Sequence, residues 1–142
     1  MNKRLMFLLL VLVGVSYSQR ISAGPFRLMY SKAESRAQCK SMTAVEPSWI
    51  HGYEADIGDG YEWQLWFRND KLWMIQMKSF SSSMDAYEEM VKVFSKEEGR
   101  RPDNKSAYAT GYSSVWNERD TRFSVIYNDA NKEIVIILSV KQ

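Results

Sequence analysis

Residues 61–78, with the sequence YEWQLWFRNDKLWMIQMK, alternate between apolar and polar positions on both sides of a short polar stretch. A period of two is typical of β-strands that have one face in a hydrophobic core. The pattern therefore predicts a hairpin in which the odd-numbered residues of the first strand face the core. Trp66 breaks this pattern, because it stands in the row where a solvated sheet face has polar residues.

The turn of this predicted hairpin determines which side chains lie beside Trp66. The apolar rows of the two strands share one face only if the loop has an odd number of residues, and residues 68–70 fit this requirement. In that register Leu72 lies opposite Trp66, and Met74 is a diagonal neighbour within reach of the indole ring. The sequence therefore predicts a candidate binding site of Trp66, Leu72 and Met74 on the second face of the sheet.

The final apolar segment, residues 133–140, has the same excess, because Val135 and Ile137 stand opposite a complete apolar row. This pattern is typical of a strand that is central in its sheet or buried on both faces. Two explanations for the apolar residues on the second face stay open. Either residues 24–30, a loop or the other half of the protein cover them, or they form a contact surface for a partner.

Two stretches carry helical signals. Ser31 and Glu34 form a capping-box pattern before a predicted helix over residues 32–42, which has only a thin apolar stripe. Ser82 or Ser83 precedes a better helix, which ends near Gly99. Apolar residues recur in this second helix at spacings of three and four: Met84, Tyr87, Val91 and Phe94.

Each predicted helix is followed by three predicted strands. The first three cover residues 49–57 and the two arms of the hairpin, and the last three cover residues 107–116, 121–127 and 133–140. This order predicts an α+β fold, in which two helix-plus-three-strand blocks form an antiparallel sheet with the helices packed on one face.

The N-terminus has the parts of a secretory signal peptide. A basic segment with Lys3 and Arg4 precedes an apolar run, residues 5–15, and small residues follow it. The run is shorter than the roughly 20 residues that a membrane-spanning helix needs. We therefore expect residues 1–18 to be removed and residues 19–142 to form a single secreted or periplasmic domain without a stable membrane span.

Removal of the signal peptide changes the charge balance. Lys3 and Arg4 are two of the 19 basic residues, and none of the 17 acidic residues lies before Gln19, so the remaining chain has no net formal charge. Proteins that bind phosphate backbones carry a local surplus of basic residues, and the densest basic group here is the pair Arg100 and Arg101. We therefore expect no nucleic-acid partner.

Catalytic chemistry has little support in the sequence. His51 is the only histidine and Cys39 the only cysteine, so the chain has no internal disulfide and no pair of histidines at metal-ligand spacing. A Cys39 and His51 pair for nucleophilic catalysis stays open as an alternative. The acidic residues near the first turn lack the spacing of a calcium-binding loop: Glu54, Asp56, Asp59 and Glu62. We expect no catalytic residues, no metal and no cofactor.

Residues 24–39, GPFRLMYSKAESRAQC, resemble the mature N-terminus of small exported bacterial proteins of unknown function, which have a GPFGL stretch and a GMS helix start. In this chain Arg27 and Tyr30 stand where that pattern has glycines. The segments EEGRRP and SSVWNERDTRFSVIY are similar to the later helix end and the tryptophan-bearing hairpin of those proteins. The resemblance implies export and assigns no activity.

These patterns favour a non-enzymatic exported protein that binds a partner protein, or forms a homodimer, through an aromatic sheet face. The alternative is a small secreted hydrolase that uses His51 with nearby carboxylates.

The signal-peptide interpretation predicts the N-terminus of the mature protein. Mass spectrometry of protein recovered outside the cytoplasm should find a chain that begins at Gln19, with Gly24 as the alternative start. Recovery of a chain that still begins at Met1 would contradict cleavage.

Overall fold

The computed structural model describes residues 20–142, so the predicted signal peptide lies outside the described residues. Within that range there are two α-helices, α1 (Lys32–Arg36) and α2 (Met84–Glu98), and a small N-terminal hairpin of β1 (Ser22–Ala23) and β2 (Phe26–Arg27). The other eight strands form one sheet: β3 (Ser41–Ala44), β4 (Gly52–Asp56), β5 (Glu62–Arg68), β6 (Lys71–Ser79), β7 (Asn104–Tyr108), β8 (Gly111–Asn117), β9 (Thr121–Asn128) and β10 (Glu133–Val140).

The eight-stranded sheet consists of two four-stranded meanders joined at the centre. Its strand order is β3-β4-β5-β6-β10-β9-β8-β7, and every neighbouring pair is antiparallel. The last strand of each meander, β6 or β10, pairs with the other, with Ile75 opposite Leu138 and Met77 opposite Ile136. Both ends of the sheet are therefore early strands of a meander, β3 at one edge and β7 at the other.

The predicted fold class, an α+β arrangement of two helix-plus-three-strand blocks, is wrong. The described chain is mostly sheet, and each meander has four strands. One extra strand comes from the first predicted helix, which ends at Arg36, so that Met42 lies in β3 instead. Met42 pairs with Ala55 and is buried in the core. Tertiary packing of this side chain outweighs the weak helical pattern of the segment.

The second extra strand comes from division of the segment predicted as one strand over residues 107–116. Here β7 and β8 form a hairpin whose closing pair is Tyr108 and Gly111. A Cβ atom at Gly111 would lie 1.8 Å from the carbonyl oxygen of Tyr127 in β9. Glycine is therefore required here, because β9 passes too close for any side chain.

Helix α2 covers one half of the core face of the sheet. Ser83 caps its N-terminus by accepting a hydrogen bond from the backbone of Ala86, and Gly99 ends it with a φ of 68°. These boundaries confirm the prediction for this helix. Its buried side chains include Phe94, whose ring centroid lies 4.9 Å from that of Phe123 in β9. Within residues 20–142, no helix combines the length and apolar character needed to cross a bilayer.

The N-terminal hairpin covers the other half of the core face. Phe26 is fully buried, and its ring meets Trp63 of β5 edge-on, with 5.4 Å between centroids. The indole nitrogen of Trp63 donates to Asp59 at 2.8 Å, so the buried ring has its polar atom satisfied. The contact of Phe26 with Trp63 places residues 24–30 on the core face, and not on the second face as one of the two explanations requires.

Removal of the Trp63 ring should weaken the fold severely. Trp63 has no exposed surface, so we expect Trp63→Ala to lower the free energy of unfolding by about 3–5 kcal/mol. Trp49 is a matched control because its side chain is 75% exposed, and Trp49→Ala should change stability by less than about 0.5 kcal/mol. Urea unfolding of the two variants measures both values. A loss below about 1 kcal/mol for Trp63→Ala would contradict the assigned core.

Candidate functional site

The three residues of the predicted site are divided between the two faces of the sheet. The β5–β6 loop has two residues rather than three, Asn69 and Asp70, and both have positive φ. A bulge then shifts the register, so that Trp66 pairs with Met74 while Leu72 pairs with Phe67. Leu72 is fully buried in the core. The prediction that Leu72 lies opposite Trp66 is therefore wrong, and only Trp66 and Met74 are neighbours on the second face.

The bulge explains how a two-residue loop is compatible with a continuous core face. Such a loop alone would put Leu65 opposite Met74 and turn Ile75 away from the core. Trp73 is the extra residue in β6, and its insertion restores the pairing of Leu65 with Ile75. The sequence pattern was consistent with either solution.

Trp66 is partly covered by its own chain. Gly52 of β4 pairs with Trp66, and a Cβ atom at Gly52 would lie 3.1 Å from the indole nitrogen. The ring therefore occupies the space left by the missing side chain of Gly52, beside Met74, and it is half-buried. This packing gives Trp66 a structural reason to stand on the second face.

Cys39 and His51 lie near opposite ends of β4. Cys39 precedes Lys40, whose backbone N–H donates to Asp56 at the end of β4, whereas His51 directly precedes Gly52 at its start. Five residues of strand span roughly 16 Å. Burial raises the pKa of the Cys39 thiol, which disfavours the reactive thiolate. The geometry therefore does not bring Cys39 and His51 together.

The acidic residues near the first turn serve the turn itself. Asp56 accepts a hydrogen bond from the backbone of Gly58, and Asp59 accepts from the backbone of Tyr61 and from the Trp63 indole. Among residues 20–142, no group of three histidine, cysteine or acidic side chains has a metal-binding arrangement. The turn also lies at the far end of β4 from His51.

A concave surface of the described chain lies between α2 and the edge hairpin of β7 and β8. It is a groove of about 600 Å³, a volume typical of ligand sites. We call it the α2–β7 groove. Its apolar lining comes from both sides: Met84, Tyr87 and Val91 of α2, Ala107 of β7 and Tyr112 of β8.

The floor of the α2–β7 groove is held in place by aromatic contacts. The Tyr87 hydroxyl makes a 2.6 Å hydrogen bond with the Ser114 hydroxyl, and both residues are buried. The Tyr87 ring lies between those of Tyr112 and Tyr127, with centroids 6.3 and 6.2 Å away. Burial raises the pKa of Tyr87, so its hydroxyl stays protonated. By contrast, charged residues stand exposed in the lining: Glu88, Lys92 and Lys105.

One wall of the groove is an edge strand. Strand β7 pairs with β8 on one side, and in the sheet order of the described chain no strand follows it on the other. All five residues of Asn104–Tyr108 are exposed. Antiparallel pairing uses only alternate backbone groups of an edge strand, so the remaining N–H and C=O groups point outward.

Sequence reasoning missed this site because it merged β7 and β8 into one strand. The available signal was Thr110 followed by Gly111, a pair typical of turns, between two runs that contain tyrosine. The two sides of the groove come from segments about twenty residues apart in the chain, and the distance between them in space depends on the fold.

A second polar centre is a buried ionic cluster at the C-terminal end of α2. The Arg20 guanidinium contacts Glu97 at 2.7 Å and Glu98 at 3.4 Å, and it lies 4.6 Å from the ring centroid of Phe123. Glu118 accepts a hydrogen bond from the backbone N–H of Arg20. The cluster fastens the N-terminal segment to α2 and to the β8–β9 turn.

The carboxyl groups of Glu98 and Glu118 interact with each other beside the Arg20 cation. Burial, together with the neighbouring Glu118 carboxyl, raises the pKa of Glu98 to about 7, although Arg20 acts in the opposite direction. Oε1 of Glu118 is buried without a hydrogen-bond partner among the described residues. A protonated Glu98 can donate to Glu118, so the pair holds a proton near neutral pH.

No protein-family model and no curated protein matches this chain. A solved structure of a DUF4309 family protein, YjgB from Bacillus subtilis subsp. subtilis strain 168, is similar to it. The TM-score is 0.54 at 11% sequence identity, over 99% of this chain and 100% of that chain. At this identity the likeness shows the fold alone.

The raised pKa of Glu98 makes stability depend on pH. Because the folded state holds this proton more tightly than the unfolded state, the free energy of unfolding should fall as pH rises from about 4.5 to about 7 and level off above. Glu98→Gln should remove this slope and be the more stable protein at pH 8. Urea unfolding between pH 5 and 8 measures this dependence of stability on pH. The control Glu97→Gln removes a partner of Arg20 and should keep the pH dependence of the parent. An unchanged pH dependence in Glu98→Gln would refute the raised pKa of Glu98.

Proposed function

We propose that this chain is an exported, non-enzymatic binding protein that holds an extended segment of a partner protein in the α2–β7 groove. The observation that carries the proposal is the combination of a largely apolar groove of about 600 Å³ with the free edge of β7. The secretory pattern of residues 1–18 supports export.

An extended segment can use both parts of this surface at once. Its backbone adds to the outward N–H and C=O groups of β7 as a ninth strand, which supplies affinity independent of sequence. Alternate side chains of a strand point to the same face, so every second residue of the segment turns toward α2. Those residues meet Met84, Tyr87 and Val91.

The groove also restricts which segments fit. Its apolar floor favours apolar or aromatic residues at alternate positions, because their burial is the main source of binding energy. Lys92 of α2 and Lys105 of β7 outnumber Glu88 in the lining. The favoured segment therefore carries a carboxylate beside an apolar residue. The polar sequence of β7, with Asn104 and Lys105, limits unspecific strand pairing.

Selection from a phage-displayed library of random nine-residue peptides tests the proposal. Protein expressed without residues 1–18 should select peptides with alternating apolar residues. Ala107→Trp fills the groove from an exposed position and should weaken these peptides at least about tenfold, or about 1.4 kcal/mol. Ala44→Trp is the matched control, because Ala44 is an exposed alanine in β3 at the opposite edge. Trp66→Ala tests the second face in the same assay.

The outcomes separate the surfaces. Loss of binding in Ala107→Trp, with Ala44→Trp and Trp66→Ala unchanged, supports the groove. Loss in Trp66→Ala with Ala107→Trp unchanged assigns binding to the second face and contradicts the proposal. Sedimentation analysis adds a third outcome. If the protein is a dimer and Ala107→Trp dissociates it, a second copy of the chain occupies the groove, and the proposal of a partner protein is contradicted.

A further inference from the structure

A second cleft opens where β6 changes its neighbour in the sheet. Strand β10 pairs with β6 as far as Ser139 opposite Met74. Two residues earlier in β6, Leu72 instead exchanges backbone hydrogen bonds with Met29 and Tyr30. Trp73 lies at the junction between these two partners, and it is also the extra residue of the bulge. Bulges commonly redirect side chains at functional sites.

The cleft has two adjacent parts that share the lining residues Trp73, Val140, Lys141 and Gln142. One part has a volume of about 410 Å³ and the other about 230 Å³. Together they contain four basic side chains and no acidic side chain: Arg68, Lys71, Arg122 and Lys141. Since residues 19–142 have no net formal charge, this is a local concentration of positive charge.

The basic groups of the cleft are available to an anion. None of the four belongs to an ion pair within residues 20–142. Arg122 donates to the neutral amide of Asn117 at 3.1 Å, and the Lys141 ammonium donates to the backbone carbonyl of Glu118. Both acceptors are neutral, although the Lys141 charge also acts on the nearby Asp103 carboxyl, whose pKa it helps to lower.

The Arg68 guanidinium lies over the indole of Trp73, 4.7 Å from the ring centroid. This cation–π contact keeps a cation beside the half-buried aromatic ring. The cleft therefore presents a flat apolar surface and several cationic donors within one concave site. The acidic residues Glu34 and Asp120 line an adjoining depression, which shares Met29, Lys71 and Val140 with the cleft.

We propose that this cleft binds a small ligand that carries a phosphoryl group on a planar ring. The phosphoryl oxygens accept from the guanidinium and ammonium groups, since planar arginine donors match oxyanions well. The ring lies against Trp73. This site is separate from the α2–β7 groove, because the two share no lining residue.

Titration with phenyl phosphate, followed by the indole N–H signals in nuclear magnetic resonance spectra, tests this site. Trp73→Phe assigns the Trp73 signal. Lys71→Gln combined with Arg122→Gln removes two charges from the cleft, and both positions are exposed. The matched control, Lys92→Gln combined with Lys105→Gln, removes the same charge from the α2–β7 groove. Benzyl alcohol and inorganic phosphate separate the contributions of ring and anion.

We expect phenyl phosphate to shift the Trp73 signal at millimolar concentration, with binding weakened at least tenfold in the cleft variant and within about twofold of the parent in the control. Benzyl alcohol should leave the signal unshifted, and inorganic phosphate should bind more weakly. An unshifted Trp73 signal, or equal weakening in both double variants, overturns the site. Equal binding of benzyl alcohol refutes the anion requirement, and equal binding of inorganic phosphate refutes the role of the ring.

Discussion

The pairing of β6 with β10 is the interaction on which the rest of the structure depends. It joins the two meanders into one sheet and aligns their apolar rows, so that Met77 meets Ile136 and Ile75 meets Leu138. All four side chains are buried on the core face. Helix α2 and the N-terminal hairpin then cover a single continuous surface. Without this pairing each half would leave a strand with a long unpaired edge.

The same arrangement determines where binding surfaces can occur. Because the last strands of the two meanders occupy the centre, the edges of the sheet are the short strands β3 and β7, and β7 is exposed throughout. Helix α2 packs mainly over β9, which leaves the α2–β7 groove between the helix and the edge. The basic cleft exists because β10 stops opposite Met74 and does not reach the first residues of β6. Met29 is the neighbour of β6 there. One surface therefore depends on where the helix packs, and the other on where a strand ends.

Local sequence signals predicted the elements whose geometry is local. The boundaries of α2 follow from Ser83 and Gly99, and the capping box of Ser31 and Glu34 is present as predicted. The Gly58–Gly60 turn likewise gives the register expected of a three-residue loop, with Ala55 opposite Trp63. In these cases a few neighbouring residues determine the backbone conformation, and positive φ favours glycine.

Non-local geometry was the source of the errors. Whether Met42 belongs to a helix or to β3 depends on the presence of Ala55 beside it, which no short window of sequence contains. The loop of Asn69 and Asp70 is locally as acceptable as a three-residue loop, and only the bulge at Trp73 makes it compatible with the core. For the same reason Leu72 was assigned to the wrong face. The α2–β7 groove was unpredictable because its width depends on how α2 packs against β9.

The central position of β10 has a consequence for the order of folding. The strand comes last among the described elements, yet it completes the sheet between β6 and β9. During synthesis from the N-terminus, β6 and β9 therefore each keep one unpaired edge until Glu133–Val140 becomes available. A chain that ends before this segment would retain the sequence signals of the other elements and would lose the strand that joins β6 to β9. Such fragments would be prone to pair with one another, which makes the integrity of the last strand a condition for solubility as well as for stability.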